Sequence, residues 1–268
     1  MPAIDIARLK IQAAALVEKF DQPALFIKDL REILDLYADR TLRANLTAPA
    51  SVLPAYRAPQ AVLRQIEMEL MPLVATFPAQ AMTLSEALWQ EGLLETRLLA
   101  ASLLGRIAPD TPQLPERISA WVSQTRDASL RRALLENSLS RLRRETPNEF
   151  LRLMETWFSP ATPKLWPSGL QALLALIDDP RYDNLPPIFD LFQPVLENIS
   201  ASLQNETAQV INALYRASPV ETVYFLRKTI RGSLRAEAIL TLRRAIPSLA
   251  KTLQPQVQEM IRQKSAMV

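Results

Sequence analysis

The residues that this sequence offers for catalysis are carboxylates, amines and hydroxyls. Its 268 residues include no histidine and no cysteine, which excludes imidazole catalysis, disulfides and metal sites built from His or Cys. Gly92, Gly105, Gly169 and Gly232 stand too far apart to form a phosphate-binding loop or a dinucleotide fingerprint. We therefore expect no metal, no nucleotide and no other cofactor.

Arginines, the second group with functional potential, are concentrated in two clusters. Residues 126–144, the first cluster, hold six arginines against two acids, and residues 216–251, the second cluster, hold eight basic side chains against two acids, whereas residues 1–40 have a net charge of −1. Single arginines on helices are usually solvated or ion-paired, but clusters from separate helices can follow a phosphate backbone. The candidate nucleic-acid-binding residues are Arg126, Arg131, Arg132, Arg143, Arg144, Arg227, Lys228, Arg231, Arg235, Arg243 and Arg244.

The two clusters differ in how their arginines would be arranged. On a helical wheel, the arginines of the first cluster do not form one stripe, and Arg131 falls among leucines. In the second cluster, Arg227 and Arg231 are four residues apart and Arg235 follows Gly232. Three guanidinium groups are therefore expected around one helix junction, where free backbone N–H groups also favour anions.

Apolar residues recur at helical spacing along the chain, as in residues 94–104, 128–145 and 206–217, and no alternating pattern predicts strands. The sequence thus predicts an all-α fold. Prolines 72, 109, 147, 180, 219 and 247 are expected to open or close helices, and each interval between them is long enough for two helices. This favours a right-handed α-solenoid of about six HEAT-like helical pairs (an α-α superhelix) over an irregular helical bundle.

We expect a single domain, residues 1–268, with an N-terminal helical pair (1–45), a Pro-rich ordered connection (46–60) and repeats (61–268). Gly92 should end or join helices, because glycine within a helix costs about 1 kcal/mol relative to alanine. The first residues lack the order of a secretory signal, and no stretch is apolar enough for a membrane span. The expected location is the cytoplasm, without membrane association.

Tryptophans 89, 121, 157 and 166 each lie near an expected helix end. At such a junction tryptophan usually packs in the interior, although beside arginines it also suits contacts to a nucleotide. Trp121 and Trp166 are the aromatic candidates for such contacts.

Two stretches, "ALWQEGLLETRLLAASLLGRI" (87–107) and "QNETAQVINALYRASPVETVYFLRKTIRG" (204–232), resemble the DNA alkylation repair family of HEAT-like-repeat alkylpurine DNA glycosylases. The first is similar in its Leu-Trp pair and its Glu two residues before Arg, and the second in its late repeat with a Phe-Leu pair. The similarity covers roughly residues 60–250. It implies a concave basic face that holds duplex DNA and a carboxylate that stabilises the oxocarbenium sugar as an alkylated purine leaves.

The chain departs from the family pattern at its chemical centre. The family's tryptophan-aspartate motif falls near Asp127, but Arg126 stands where the tryptophan is expected and Leu130 where the second aspartate is expected. After Trp166, Ser168 and Gly169 replace the expected pair of arginines. Asp127 is the one catalytic candidate, and it would need a shifted register with Trp121 as the displaced tryptophan.

Three functions therefore remain open. The first is a duplex-DNA-binding relative of these glycosylases with lost or altered activity. The second is a HEAT-like scaffold that binds a protein partner. The third is an active glycosylase that uses Asp127.

Overall fold

The computed structural model describes residues 5–39, 52–232 and 234–265, and within them the secondary structure is entirely helical. The predicted all-α fold is confirmed. Their contacts divide the chain into two compact units, unit 1 (1–146) and unit 2 (147–268). The division into an N-terminal pair and repeats within one domain stays a prediction, and residues 46–51 of the expected connection lie outside the described residues.

Unit 1 contains eight described α-helices and one π-helical turn. They are α1 (Ile6–Val17), α2 (Pro23–Leu36), α3 (Gln60–Thr76), α4 (Pro78–Gln90), α5 (Leu94–Leu104), α6 (Leu114–Gln124), α7 (Ala128–Ala133), the π turn (Leu134–Ser138) and α8 (Ser140–Glu145). The α5 helix is central to this unit: it packs against α3, α4, α7 and the π turn. Its Leu99, Ala100 and Leu104 are fully buried.

Unit 2 contains seven described α-helices, joined in places by short 3₁₀ turns. They are α9 (Pro147–Trp157), α10 (Trp166–Ile177), α11 (Pro186–Glu197), α12 (Gln204–Ala217), α13 (Pro219–Arg231), α14 (Ala236–Ala245) and α15 (Gln254–Ser265). The α12 helix packs against α10, α13 and α14, and α13 also packs against α11 and α15. These contacts decide which face of α13 is left for solvent.

The six prolines expected to open or close helices have different outcomes, and only two of them begin an α-helix. Pro147 and Pro219 begin α9 and α13, and Pro109 and Pro180 lie in connections. The prediction for Pro72 is wrong, because this proline lies inside α3. A proline there removes one backbone hydrogen bond, at a cost of about 3 kcal/mol, but the buried stripe of α3 continues past it through Val74, and this packing keeps the helix intact.

Two glycines explain the construction of residues 87–109. Gly92 has φ +75°, a conformation that suits glycine, and it separates α4 from α5. The expectation that Gly92 joins helices is confirmed. Gly105 serves close packing, because a Cβ atom there would lie only 2.0 Å from the backbone oxygen of Asn137 in the π turn. Ser138 fixes the same contact by donating a 2.7 Å hydrogen bond to the backbone oxygen of Ala101.

Candidate nucleic-acid interface

The second cluster places most of its cations on exposed helix surface. The α13 helix exposes Arg227, Lys228 and Arg231, which fall within an arc of about 100° on one side of the helix. The opposite side of α13 is buried through Thr222, Phe225, Leu226, Thr229 and Ile230.

The buried side of α13 is held by aromatic packing. The ring of Phe225 lies 4.9 Å from that of Phe189 and 6.0 Å from that of Phe192, both on α11. The hydroxyl of Thr222 also donates a 2.8 Å hydrogen bond to the backbone oxygen of Ser218, at the start of the helix. Because these contacts fix the rotation of α13, the basic side is directed to solvent.

The α14 helix adds the remaining cations of the second cluster. Arg235 is its N-cap residue and provides no side-chain cap, and Arg243 and Arg244 are exposed in its last turn. Arg227, Lys228, Arg235 and Arg244 form no side-chain hydrogen bond or ion pair with any part of the chain that the structure describes. Arg231 differs, because it donates a 2.7 Å hydrogen bond to Gln263 on α15.

The first cluster has a different environment. Arg131 and Arg143 are half-buried and donate to the backbone oxygens of Thr125 and Leu135, and Arg144 donates to that of Ser140. Arg132 lies 3.8 Å from Glu136 in an exposed ion pair. Arg126 is exposed. Most of these guanidinium groups therefore interact with their own protein, although solvent still reaches Arg132 and Arg144.

The helical wheel for residues 126–144 assumed one regular helix, and that assumption is wrong. Asp127 is the N-cap of α7, so Arg126 precedes the helix, and the π turn followed by Leu139 interrupts the segment before α8. A π turn shifts the helical phase, so residues before and after it cannot be placed on one wheel. The positions that the wheel assigned to these arginines relative to one another therefore do not apply.

Asp127 is held inside unit 1, with 5% of its surface exposed. One carboxylate oxygen accepts hydrogen bonds from the backbone N–H groups of Ser129 and Leu130 at 3.0 Å, which caps α7. The other accepts a 3.1 Å bond from the backbone N–H of Val52. Both oxygens thus have structural partners, and Leu130, which stands at the expected position of the family's second aspartate, is itself a buried core residue.

The two aromatic candidates lie in the interior. Trp121, 2% exposed, stacks on Trp89 with the ring centroids 4.2 Å apart, and the guanidinium carbon of Arg97 lies 4.8 Å from the Trp89 ring. Trp166 is also buried and donates its indole N–H to the backbone oxygen of Ser159. Both candidates have packing roles, in agreement with the general expectation for tryptophan at a helix junction.

The residues that carry the family resemblance in α4 and α5 hold the segment before α3. Glu95 is buried and accepts hydrogen bonds from the backbone N–H groups of Arg57 and Ala58, at 2.6 and 3.3 Å. Arg57 needs this support because its φ of +58° is strained for a residue with a side chain. Leu94 adds a backbone bond to Pro54. One carboxylate oxygen of Glu95 is therefore engaged by the protein's own backbone, whereas the other is buried and accepts no hydrogen bond from the described residues.

Ser168 and Gly169, which stand where the resemblance leads us to expect a pair of arginines, lie in a packed interior. A Cβ atom at Gly169 would come within 2.7 Å of the Phe158 ring, and Ser168 is buried beside it. A long charged side chain at position 169 would have to displace the Phe158 ring.

The sequence interpretation missed Val220 and Tyr224 on α13. They are 81% and 69% exposed and lie on the same side of the helix as Arg227, Lys228 and Arg231. Their spacing of four residues, continued by the basic residues three and four positions later, is the signal that could have identified them.

Comparisons of this chain with protein families, with curated proteins and with solved structures returned no match. Within the described residues, no helix combines the length and the apolar content that a membrane crossing requires.

Proposed function

We propose that this chain is a HEAT-like helical-repeat protein that binds duplex DNA through the exposed cations of α13 and α14, and that it has lost the glycosylase activity of the family it resembles. The observation that carries the proposal is the exposed group formed by Arg227, Lys228, Arg235 and Arg244, none of which is paired with a carboxylate among the described residues. We name these four residues together with Arg231 and Arg243 the basic surface.

Unpaired cations are what binding to a phosphate backbone requires. A paired arginine must first give up its carboxylate, whereas an exposed and unpaired one exchanges only water and counterions for a phosphate. Arg235 adds to this, because it stands at the start of α14, where the first backbone N–H groups have no side-chain acceptor among the residues that the structure describes. The acidic residues nearest in sequence, Glu221 and Glu237, are few enough to leave the surface positive.

The environment of Asp127 supports the loss of glycosylase activity. A carboxylate that stabilises an oxocarbenium ion must face the sugar, whereas this one caps α7 and accepts a bond from Val52. We expect release of N7-methylguanine and N3-methyladenine to remain at background. Efficient release that Asp127→Asn abolishes would instead establish the active-glycosylase function.

The test is a titration of labelled duplex DNA by fluorescence anisotropy at several salt concentrations. Affinity should fall steeply with salt, by about 0.9 decade per decade of salt for each phosphate neutralised. The triple variant Arg227→Gln, Arg231→Gln, Arg235→Gln should weaken binding about tenfold or more on every sequence alike, with a shallower salt dependence, because phosphate contacts do not read bases.

A matched control removes the same charge from paired arginines of the same unit. Arg181, Arg216 and Arg262 form ion pairs with Asp179, Asp178 and Glu259. Their replacement by Gln should reduce affinity less than about threefold, since these cations are already neutralised. Equal losses in the two triple variants would contradict a localised basic surface, and absent or salt-independent binding would contradict DNA binding altogether.

A scaffold that binds another protein is the second candidate, and one feature of unit 1 favours it. A groove of about 500 Å³ lies between the end of α1 and the junction of α3 with α4, with Phe20, Leu73 and the exposed Phe77 in its wall. An apolar groove of this kind suits an inserted side chain of a partner. If the titration fails, this groove becomes the first site to mutate, through Phe77→Ser.

A further inference from the structure

Five exposed residues occupy one side of α13: Val220, Tyr224, Arg227, Lys228 and Arg231. At 3.6 residues per turn they fall within an arc of about 100° and extend about 16 Å along the helix. We name this side the α13 face. It combines an exposed aromatic ring with three cations, which a surface that contacts only phosphates does not need.

We propose that the α13 face binds DNA strands with unpaired bases, with Tyr224 stacking on a base while Arg227, Lys228 and Arg231 contact the neighbouring phosphates. This inference rests on the proposed DNA-binding function and adds strands with unpaired bases to the duplex that the basic surface binds. In duplex DNA each base is stacked between the adjacent bases. An aromatic side chain on the surface of a protein helix therefore has no exposed base face to stack on. In a single strand the base faces are accessible, and stacking on an aromatic ring tolerates any sequence.

The position of Tyr224 is fixed well enough for this role. Its neighbour Phe225 is packed against Phe189 and Phe192 of α11, and this packing sets the rotation of α13. The side chain of Tyr224 is therefore directed to solvent, 69% exposed, in the middle of the α13 face. Exposing a large aromatic side chain has no benefit for folding, because its apolar area remains in water.

The charges on α13 give the face a direction. Glu221 lies in the first turn, three residues before Tyr224, and repels phosphate at that end. The three cations all follow Tyr224, and Lys228 and Arg231 lie in the last turn. The base contact is therefore placed toward the start of the helix, with Val220 as an apolar neighbour, and the phosphate contacts toward its end.

A role in helix stability alone does not account for this arrangement. Cations in a last turn do favour the negative end of the helix dipole, which explains Lys228 and Arg231 individually. The carbonyls at this end are already satisfied in part, because Lys264 donates to the backbone oxygens of Arg231 and Gly232. Neither effect involves Arg227 or the exposed ring of Tyr224.

The experiment compares three labelled probes of equal length: oligo(dT), a strand of abasic sites and a duplex. Tyr224→Leu removes the ring but keeps an apolar side chain, and Tyr224→Phe keeps the ring. We expect Tyr224→Leu to weaken oligo(dT) binding about tenfold, as the loss of one base–aromatic stack predicts. Its affinity for the abasic strand and for the duplex should change less than about twofold, and Tyr224→Phe should bind all three probes like the wild type.

The outcomes separate this inference from the function on which it rests. If no probe binds, both are overturned. If the duplex binds and depends on the basic surface, but Tyr224→Leu leaves oligo(dT) affinity unchanged, only the role of Tyr224 is overturned. An equal loss on the abasic strand also overturns it, because that strand has phosphates but no bases. A thermal melt of each variant confirms folding, which we expect to be intact because the side chain is exposed.

Discussion

The first and second arginine clusters are similar in composition, and they differ in what lies within reach of their guanidinium groups. In the first cluster the helix is broken at Asp127, at the π turn and at Leu139, and carbonyls near these irregular points accept hydrogen bonds from Arg131, Arg143 and Arg144. In the second cluster α13 and α14 are regular, so most carbonyls are used within the helices. Most cations of α13 and α14 are thus left in contact with solvent, whereas irregular backbone engages arginines of the first cluster.

The largest expected effect tests whether the π turn is structurally required. In Gly105→Ala the new methyl group would lie 2.0 Å from the backbone oxygen of Asn137, and neither backbone can move easily. We expect a loss of about 3 kcal/mol in the free energy of unfolding. The control is Gly232→Ala next to the second cluster, where the nearest atom is 3.2 Å away and the loss should be below about 1 kcal/mol.

Chemical denaturation of both variants measures this difference. Similar free energies of unfolding for the two variants would mean that the backbone of the π turn can move without loss of stability. The backbone of the first cluster could then change its conformation, and the two clusters would no longer differ in how firmly their arginines are held.

The second prediction concerns Asp127, which fixes the start of the first cluster. Asp127→Ala removes the cap of α7 and leaves the backbone N–H of Val52 without its acceptor, so the free energy of unfolding should fall by about 2 kcal/mol. Asp127→Asn retains an acceptor oxygen and should lose less than half as much. A thermal melt of both variants checks this, and equal stability of the wild type and Asp127→Ala would contradict the capping role.

The sequence could predict features that depend on residues close together in the chain, and it could not predict those that depend on contacts between distant residues. Local signals predicted the all-α fold, the break at Gly92 and the helix starts at Pro147 and Pro219, because proline and glycine act on their own backbone. Pro72 inside α3 was missed, since the buried residues on both sides of it outweigh the lost hydrogen bond.

The candidate site depended on contacts that a single sequence does not reveal. Trp121 is buried against Trp89, which lies on another helix. Asp127, besides capping α7, accepts a hydrogen bond from the backbone N–H of Val52, which is distant in sequence. The sequence placed Arg131 among leucines, but it does not reveal that the guanidinium group donates a hydrogen bond to the backbone oxygen of Thr125. Tyr224 could have been predicted from the sequence, because it lies only three to seven residues before Arg227, Lys228 and Arg231 on the same helix.

A smaller effect is expected from neutralising the first cluster. The triple variant Arg132→Gln, Arg143→Gln, Arg144→Gln removes the same charge as the second-cluster triple variant, but it acts on side chains that already interact with Glu136 and with backbone oxygens. Duplex affinity should change less than about threefold. The same anisotropy titration measures it, and a loss as large as that of the second cluster would mean that engaged arginines still contribute to binding.

The smallest expected effect concerns Glu67 on α3, which illustrates the internal neutralisation of charge in unit 1. Burial raises the pKa of Glu67, although a hydrogen bond with Ser102 and the charges of Arg106 and Arg64 oppose the shift. Because the folded protein disfavours the ionised carboxylate, the stability that Glu67 contributes is complete below its ordinary pKa and is lost as pH rises through the raised value. Glu67→Gln should therefore raise the melting temperature slightly near pH 7 and leave it unchanged near pH 4.

Glu145 on α8 provides a control of opposite sign. Its hydrogen bond with Arg141 lowers the pKa of Glu145, so its contribution to stability is present above the ordinary pKa and is lost as pH falls. Glu145→Gln should lower the melting temperature slightly at neutral pH and converge with the wild type in acid. If both variants shift in the same direction at pH 7, the two carboxylates do not differ in the way that their burial and partners require.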